Sequence, residues 1–222
     1  MKHPPSHTPQ VILASQSPRR REILQNLGIP FCTVVSEADE SADDSLAPES
    51  YAEIIAHRKA EAVKSKLLTA PLCPKPGAPA LDVSGSLIIA ADTIVVCEGN
   101  RLGKPKNEAE AAAMMHLLSG KRHAVISGIA VLYHNQSVTA HETTYVDFRR
   151  LEEAEIQAYI HTKEPYDKAG GYGIQDKAAL FVRGIEGDYL NVVGLPVYRL
   201  FRVIKNAFDI PAFEMMLADS TR

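Results

Sequence analysis

The stretch LIIAADTIVVC, residues 87–97, constrains the fold more than any other part of the chain. A strand with one wet face alternates apolar and polar residues. A strand that reads apolar at both parities is covered on both sides. Such a strand needs helices above and below it, which predicts an α/β (mixed α+β) chain. Asp92-Thr93 interrupts the run, and Ile94-Val95-Val96 continues it. An ionised carboxylate in such a place is costly unless it is paired or holds a metal. It is therefore a candidate general base or metal ligand. The plainer reading is an aspartate that caps a turn at the end of a strand.

The rest of the chain supplies the neighbouring elements. Strands are expected at 10–14, 31–36, 123–133 and 137–148, with a turn at 134–136 and a broken strand over 179–194. Helices are expected at 17–28, 48–68, 107–120, 152–162 and 196–208. Pro18 suits the first turn of the helix at 17–28, and Gly28 suits its C-terminal cap. Asn107 and Glu110 have the spacing of a capping box. No strict strand–helix–strand rhythm runs through the chain, so the expected architecture is a mixed sheet flanked by helices. The boundaries predict one domain over 10–208, a disordered tail at 1–9 and a C-terminal tail at 209–222. The Pro-, Gly- and Ala-rich segment 69–86 reads as a surface excursion.

Composition excludes several classes of function. The formal net charge is −3, so no overall basic field favours nucleic acid. Cys32, Cys73 and Cys97 are odd in number and have no C-x-x-C spacing, against a disulfide framework or a thiolate zinc site. No apolar run approaches the ~20 residues of a membrane span. The start MKHPPSHTPQ lacks the apolar centre of a signal peptide, so a cytoplasmic protein is expected.

Four further features are candidates for chemistry. In SQSPRRREIL, residues 15–24, Arg19, Arg20 and Arg21 occupy the start of a helix. A helix dipole favours anions there, and each cation costs a few tenths of a kcal/mol. The arginines are either solvated or grip an anion, with Ser15 and Ser17 as further donors. Lys59 lies within the otherwise apolar stripe Ala52, Ile55, Ala62 and Val63. It either snorkels to water or points into a pocket. The acidic loop 37–45 is either a solvated surface or lends a carboxylate to a hard divalent cation. In GGYGIQD, residues 170–176, the glycines allow close approach of a flat ligand, and Gln175 offers a donor and an acceptor to a base edge. This stretch does not fit the dinucleotide fingerprint, LGKPKN does not fit a phosphate loop, and no G-x-S-x-G elbow is present.

Seven segments in order resemble the motifs of the Maf family: LASQSPRRREIL, VVSEADE, AADTIVV, LGKP, LSGKRHAVISG, KEPYDKAGGYGIQD and GDYLNVVGLP. The resemblance runs from about residue 11 to residue 208. It implies nucleoside triphosphate pyrophosphatases, historically linked to septum formation and division arrest. It also implies an elongated mixed sheet with two lobes and a central cleft, similar to the inosine triphosphate pyrophosphatases. SPRR, ADT and DKAGGYGIQ resemble the subgroup that hydrolyses dTTP and UTP, with modified pyrimidine nucleotides as further substrates. By this resemblance Arg19, Thr93 and Gln175 match specificity positions, and Asp92 matches the catalytic base. Glu37, Lys59 and Lys104 match other residues of the catalytic cleft, with Ser15 and Arg20 beside the phosphates. Glu37 and Asp92 would hold Mg²⁺ or Mn²⁺. The implied partner is a small-molecule nucleoside triphosphate, with neither nucleic acid nor membrane, and the family suggests a homodimer. The rival reading is a nucleotide-binding regulator of septum formation without significant turnover. The sequence departs from the family's pattern at Asp176, where glycine is usual, and at Ser127, where threonine is common.

Overall fold

The computed structural model describes residues 9–69 and 82–217. In chain order the elements are β1 (Val11–Leu13), α1 (Pro18–Asn26), β2 (Phe31–Thr33), α2 (Pro48–Thr69), β3 (Leu87–Cys97), β4 (Asn100–Leu102) and α3 (Glu108–Leu118). They continue with β5 (Arg122–Tyr133), β6 (Gln136–Phe148), α4 (Glu153–Ile160), β7 (Val182–Glu186), α5 (Tyr189–Val193), α6 (Val197–Phe208) and α7 (Ala212–Leu217). Short 3-10 turns lie between α4 and β7. The strands form one seven-stranded sheet in the order β2-β1-β3-β5-β6-β7, with β4 paired to β3. β1 runs parallel to β2 and β3, whereas β3–β4 and β6–β7 are antiparallel, so the sheet is mixed as expected.

The tail expected at 1–9 and the excursion expected at 69–86 fall largely on residues 1–8 and 70–81, outside the described residues. Residues 209–222, read as a tail, contain α7. The segment 179–194, read as broken strand, holds β7 and the short helix α5. Among the described residues, no helix is long and apolar enough to cross a membrane. Cys32 and Cys97 are free thiols, and Cys73 lies outside the described residues.

The chain divides into two compact units. Of the described residues, unit 1 contains those up to Asp92, then Gly128–His141 and those from Val197 onward. Unit 2 contains Thr93–Ser127 and Glu142–Pro196.

In unit 1, consecutive residues of β1 and of the first half of β3 are all buried, which is why both segments read as unbroken apolar runs. α2 covers one face of these strands. Its Ala56, Ala60, Val63 and Leu67 pack with Ile12, Ala14, Ile88, Ala90, Ala130 and Leu132. The approach is close at Gly128, where a Cβ would stand 2.2 Å from the backbone carbon of Ala52. α1 ends in a Schellman cap: Gly28 N–H donates to Gln25 O and Ile29 N–H to Leu24 O, with Gly28 at φ +68°.

In unit 2, α3 and α4 supply Met115, Leu118, Ile156 and Tyr159 to a core completed by Val146, Phe148, Tyr172 and Phe181. Asn107 caps α3 by accepting the Glu110 N–H at 2.9 Å, but Glu110 returns its carboxylate to Lys106 N–H, one residue earlier than a capping box would place it.

Candidate active site

The first cluster lies wholly in unit 1, where β1 gives way to α1. Ala14 N–H still donates to Ile89 O of β3, and the chain then leaves the sheet through residues 15–17. Ser15 is buried, and its Oγ accepts from Ser17 N–H at 3.1 Å and from the Arg20 guanidinium at 3.3 Å. Ser17 caps α1, with its Oγ 3.5 Å from Arg20 N. The first turn of α1 contains no acidic side chain. Loop, capping serine and arginines therefore make an electropositive helix start at the carboxyl end of a parallel strand. Ligands of open α/β sheets bind outside such strand ends, and anions favour helix N-termini.

The three arginines differ. Arg21 is exposed, while Arg19 and Arg20 are half-buried. Burial lowers the pKa of the Arg20 guanidinium; the charges of Asp92 and Glu40 oppose this shift and that of Arg19 adds to it.

Asp92 lies on β3, three residues past the last residue of β3 in register with β1. Lys59 reaches it from α2: Nζ is 2.7 Å from Asp92 Oδ1 and 3.0 Å from Glu40 Oε1. The Lys59 and Asp92 side chains are 10% and 13% exposed, the Glu40 side chain 60%. Lys59 thus does not snorkel. It occupies the buried stripe of α2 with its ammonium inside the cluster. A half-hidden carboxylate, a second carboxylate open to solvent and two cations form a site that can bind phosphate and accept a proton from water.

Sequence alone singled out Glu37 and not Glu40. Glu37 lies elsewhere: its side chain is 81% exposed and pairs with Lys66 at 3.0 Å. Both residues belong to the irregular segment between β2 and α2, where no periodicity assigns a face.

The remaining candidates lie in unit 2. Thr93 begins a buried polar network. Its Oγ1 is 2.8 Å from Ser127 Oγ and 3.5 Å from Gly194 O. Ser127 Oγ donates to Asn191 O, and Asn191 Nδ2 donates to Val125 O and to Thr144 Oγ1. Thr144 Oγ1 in turn donates to Asp188 O. Ser127, Thr144 and Asn191 are completely buried. Asn191 gave no signal in the sequence because it sits among β-branched residues that look like broken strand. Lys104 and Gln175 are both exposed on loops. Gly170 N–H donates to Gly103 O, which ties the loop before Gln175 to the one that carries Lys104.

The donor set of unit 1 suits a hard cation. Asp92 and Glu40 offer carboxylate oxygens that converge on one ammonium. Magnesium is commonly held by one or two carboxylates together with substrate phosphates, not by a complete protein cage. Among the described residues there is no group of three or more His, Cys, Asp or Glu disposed to hold a metal.

The sequence model of the family described as Maf-like protein matches residues 10–207. A dTTP/UTP pyrophosphatase of Alkaliphilus oremlandii is 48% identical over 204 residues, covering 90% of this chain and 97% of that one. A dTTP/UTP pyrophosphatase of Bacillus cereus is 46% identical over 196 residues, 88% of this chain and 94% of that one. Among solved structures, the Staphylococcus aureus Ham1 protein aligns with a TM-score of 0.42 at 12% identity, over 63% of this chain and 71% of that one.

Proposed function

This chain belongs to the Maf-like protein family, and on that premise we propose that it is a nucleoside triphosphate pyrophosphatase acting on dTTP and UTP. Water adds to phosphorus at the α–β phosphoanhydride, the bridging P–O bond breaks, and nucleoside monophosphate and pyrophosphate leave. The observation that carries this reading is the placement of Lys59 between Asp92 and Glu40, in the unit that also contains the Ser15–Arg20 helix start. The relatives named dTTP/UTP pyrophosphatase support the choice of substrate.

Each residue has a distinct part. Asp92 accepts the proton of the attacking water. Lys59 fixes the Asp92 carboxylate at 2.7 Å and lends positive charge to the phosphates. Arg20, held by Ser15, faces the phosphates together with the N-terminus of α1. Lys104 offsets charge developing on the leaving pyrophosphate. Arg19, Thr93 and Gln175 are the residues we assign to specificity, with the Gln175 amide reading the pyrimidine edge through its donor and its acceptor. Asp92 and Glu40, with Glu40 replacing Glu37, would hold the Mg²⁺ or Mn²⁺. When bound, that ion neutralises phosphate charge as a Lewis acid.

The test is a panel of ribo- and deoxyribonucleoside triphosphates with Mg²⁺ or Mn²⁺, with pyrophosphate and orthophosphate separated. The reading predicts pyrophosphate and monophosphate in equal amounts, fastest from dTTP and UTP. Tight nucleotide binding without release of either product would favour a regulator without turnover. Release of orthophosphate would place the cleaved bond elsewhere.

A further inference from the structure

We propose that Asp176 is a positioning residue for base recognition, acting through the buried ammonium of Lys168 on the turn that displays Gln175. The proposal rests on the assignment of Gln175 to the base edge.

Gln175 is exposed at the corner of a four-residue turn, 173–176, closed by Asp176 N–H donating to Gly173 O at 3.1 Å. Such a corner shows its side chain to solvent, and its direction depends on how the two ends of the turn are held. One end is held by an ion pair. Lys168 Nζ lies 3.3 Å from Asp176 Oδ2, and the lysine is only 7% exposed. The pair is folded over Gly173: a Cβ there would stand 2.5 Å from Asp176 Oδ2 and 2.7 Å from Lys168 Cε. A side chain at 173 would have to displace the Asp176 carboxylate and the end of Lys168.

The turn lies over buried side chains. Ile174 is buried beside Gln175, and Tyr172 Oη lies 2.7 Å from His123 Nε2 within the core. Glu164 accepts from Lys177 N–H, which holds the chain just past Asp176. Asp176 is therefore a polar link between the display turn and the buried Lys168. Its carboxylate faces the lysine, an ammonium that it shares with Asp167.

The arrangement also separates positioning from folding. Lys168 Nζ donates to Glu164 O and to Asp167 Oδ1, each at 2.7 Å. Removing the Asp176 carboxylate leaves the buried ammonium with two partners, so the core persists while the turn loses one of its ties.

The experiment compares wild type, Asp176→Ala and Asp176→Asn by steady-state hydrolysis of dTTP, UTP and CTP and by equilibrium dialysis of UTP and CTP. Circular dichroism monitors folding. Asp176→Ala is expected to raise KM for UTP and dTTP about tenfold and to lower the preference for UTP over CTP by a similar factor, with kcat within about twofold. Asp176→Asn keeps an oxygen for the ammonium, tests the same point should the alanine variant not fold, and should recover part of the preference. Wild-type KM and wild-type preference in both variants would overturn the proposal, as would a loss confined to kcat. If wild type binds UTP but releases no pyrophosphate, the enzymatic reading fails on its own. The dialysis preference of the variants then still decides the role of Asp176.

Discussion

His123 illustrates how a single side chain in this protein ties stability to pH. It is 2% exposed, lies against Phe148 and Tyr172 with ring centroids 4.9 and 5.4 Å away, and shares a hydrogen bond with Tyr172 Oη. Burial depresses its pKa to about 4, against weaker opposition from the Lys121 backbone and the Asp147 charge. Burial also pushes the Tyr172 phenol up. An unfolded histidine titrates near 6.5. Between about 6.5 and about 4 the unfolded chain therefore binds a proton that the folded one refuses, so stability is lost as the pH is lowered through that window. The expected loss between pH 7 and pH 5 is about 2 kcal/mol from this group. Urea unfolding of wild type and His123→Gln at the two pH values checks it. The pH-dependent difference should shrink by about that amount in the variant, and an unchanged difference would show that His123 does not carry it.

The limits of the sequence are also clearest at single residues. The stripe on α2 placed Lys59 on the inner face, but spacing names a face and not a partner. Only the fold shows that Asp92 and Glu40 meet its ammonium. Glu37 and Glu40 are three residues apart in an irregular acidic loop, and nothing in that loop's pattern distinguishes them. Asp92 was legible because a carboxylate inside an apolar run needs a reason. The sequence could not say whether that reason was a cation or a metal.

At the scale of elements, legibility followed the strength of the pattern. β3 has the bounds its composition predicts, because an eleven-residue strand buried at both parities reads unambiguously. The second strand was expected to run to 36, but β2 stops at Thr33, after which the chain turns irregular. β4 was missed. It pairs through the two-residue connection Glu98-Gly99, with φ of 49° and 79°, and glutamate at such a turn gives no warning. α5 was missed because its five residues are shorter than any periodic signal. The Asp188 cap on Leu190 N–H and Gly194 at φ 128° delimit it instead. Gly128 lets β5 approach the α2 backbone closely at Ala52 and Glu53. Gly128→Ala should force α2 away from β5 and destabilise the protein by ~3 kcal/mol or more, as overpacking against backbone does. Denaturant titration measures this; a change below about 1 kcal/mol would mean that α2 is not held there.

For the whole molecule, the fold class was readable from one strand and its covering helices. The family resemblance implied two lobes, but the line of division was not readable, because the boundary cuts through β3 between Asp92 and Thr93 and through β5 between Ser127 and Gly128. Continuous strands leave no linker to read. The boundary separates two adjacent residues with different surroundings: Asp92 is bound to Lys59 in unit 1, and Thr93 enters the polar network of unit 2.

Turnover of UTP by Asp92→Asn tests the central claim most directly. The amide keeps an oxygen for Lys59, and Glu40 remains on the same ammonium, so the variant should fold. With the proton acceptor gone, kcat for pyrophosphate release should fall at least about a hundredfold. Near-normal release by a folded Asp92→Asn protein would contradict the account.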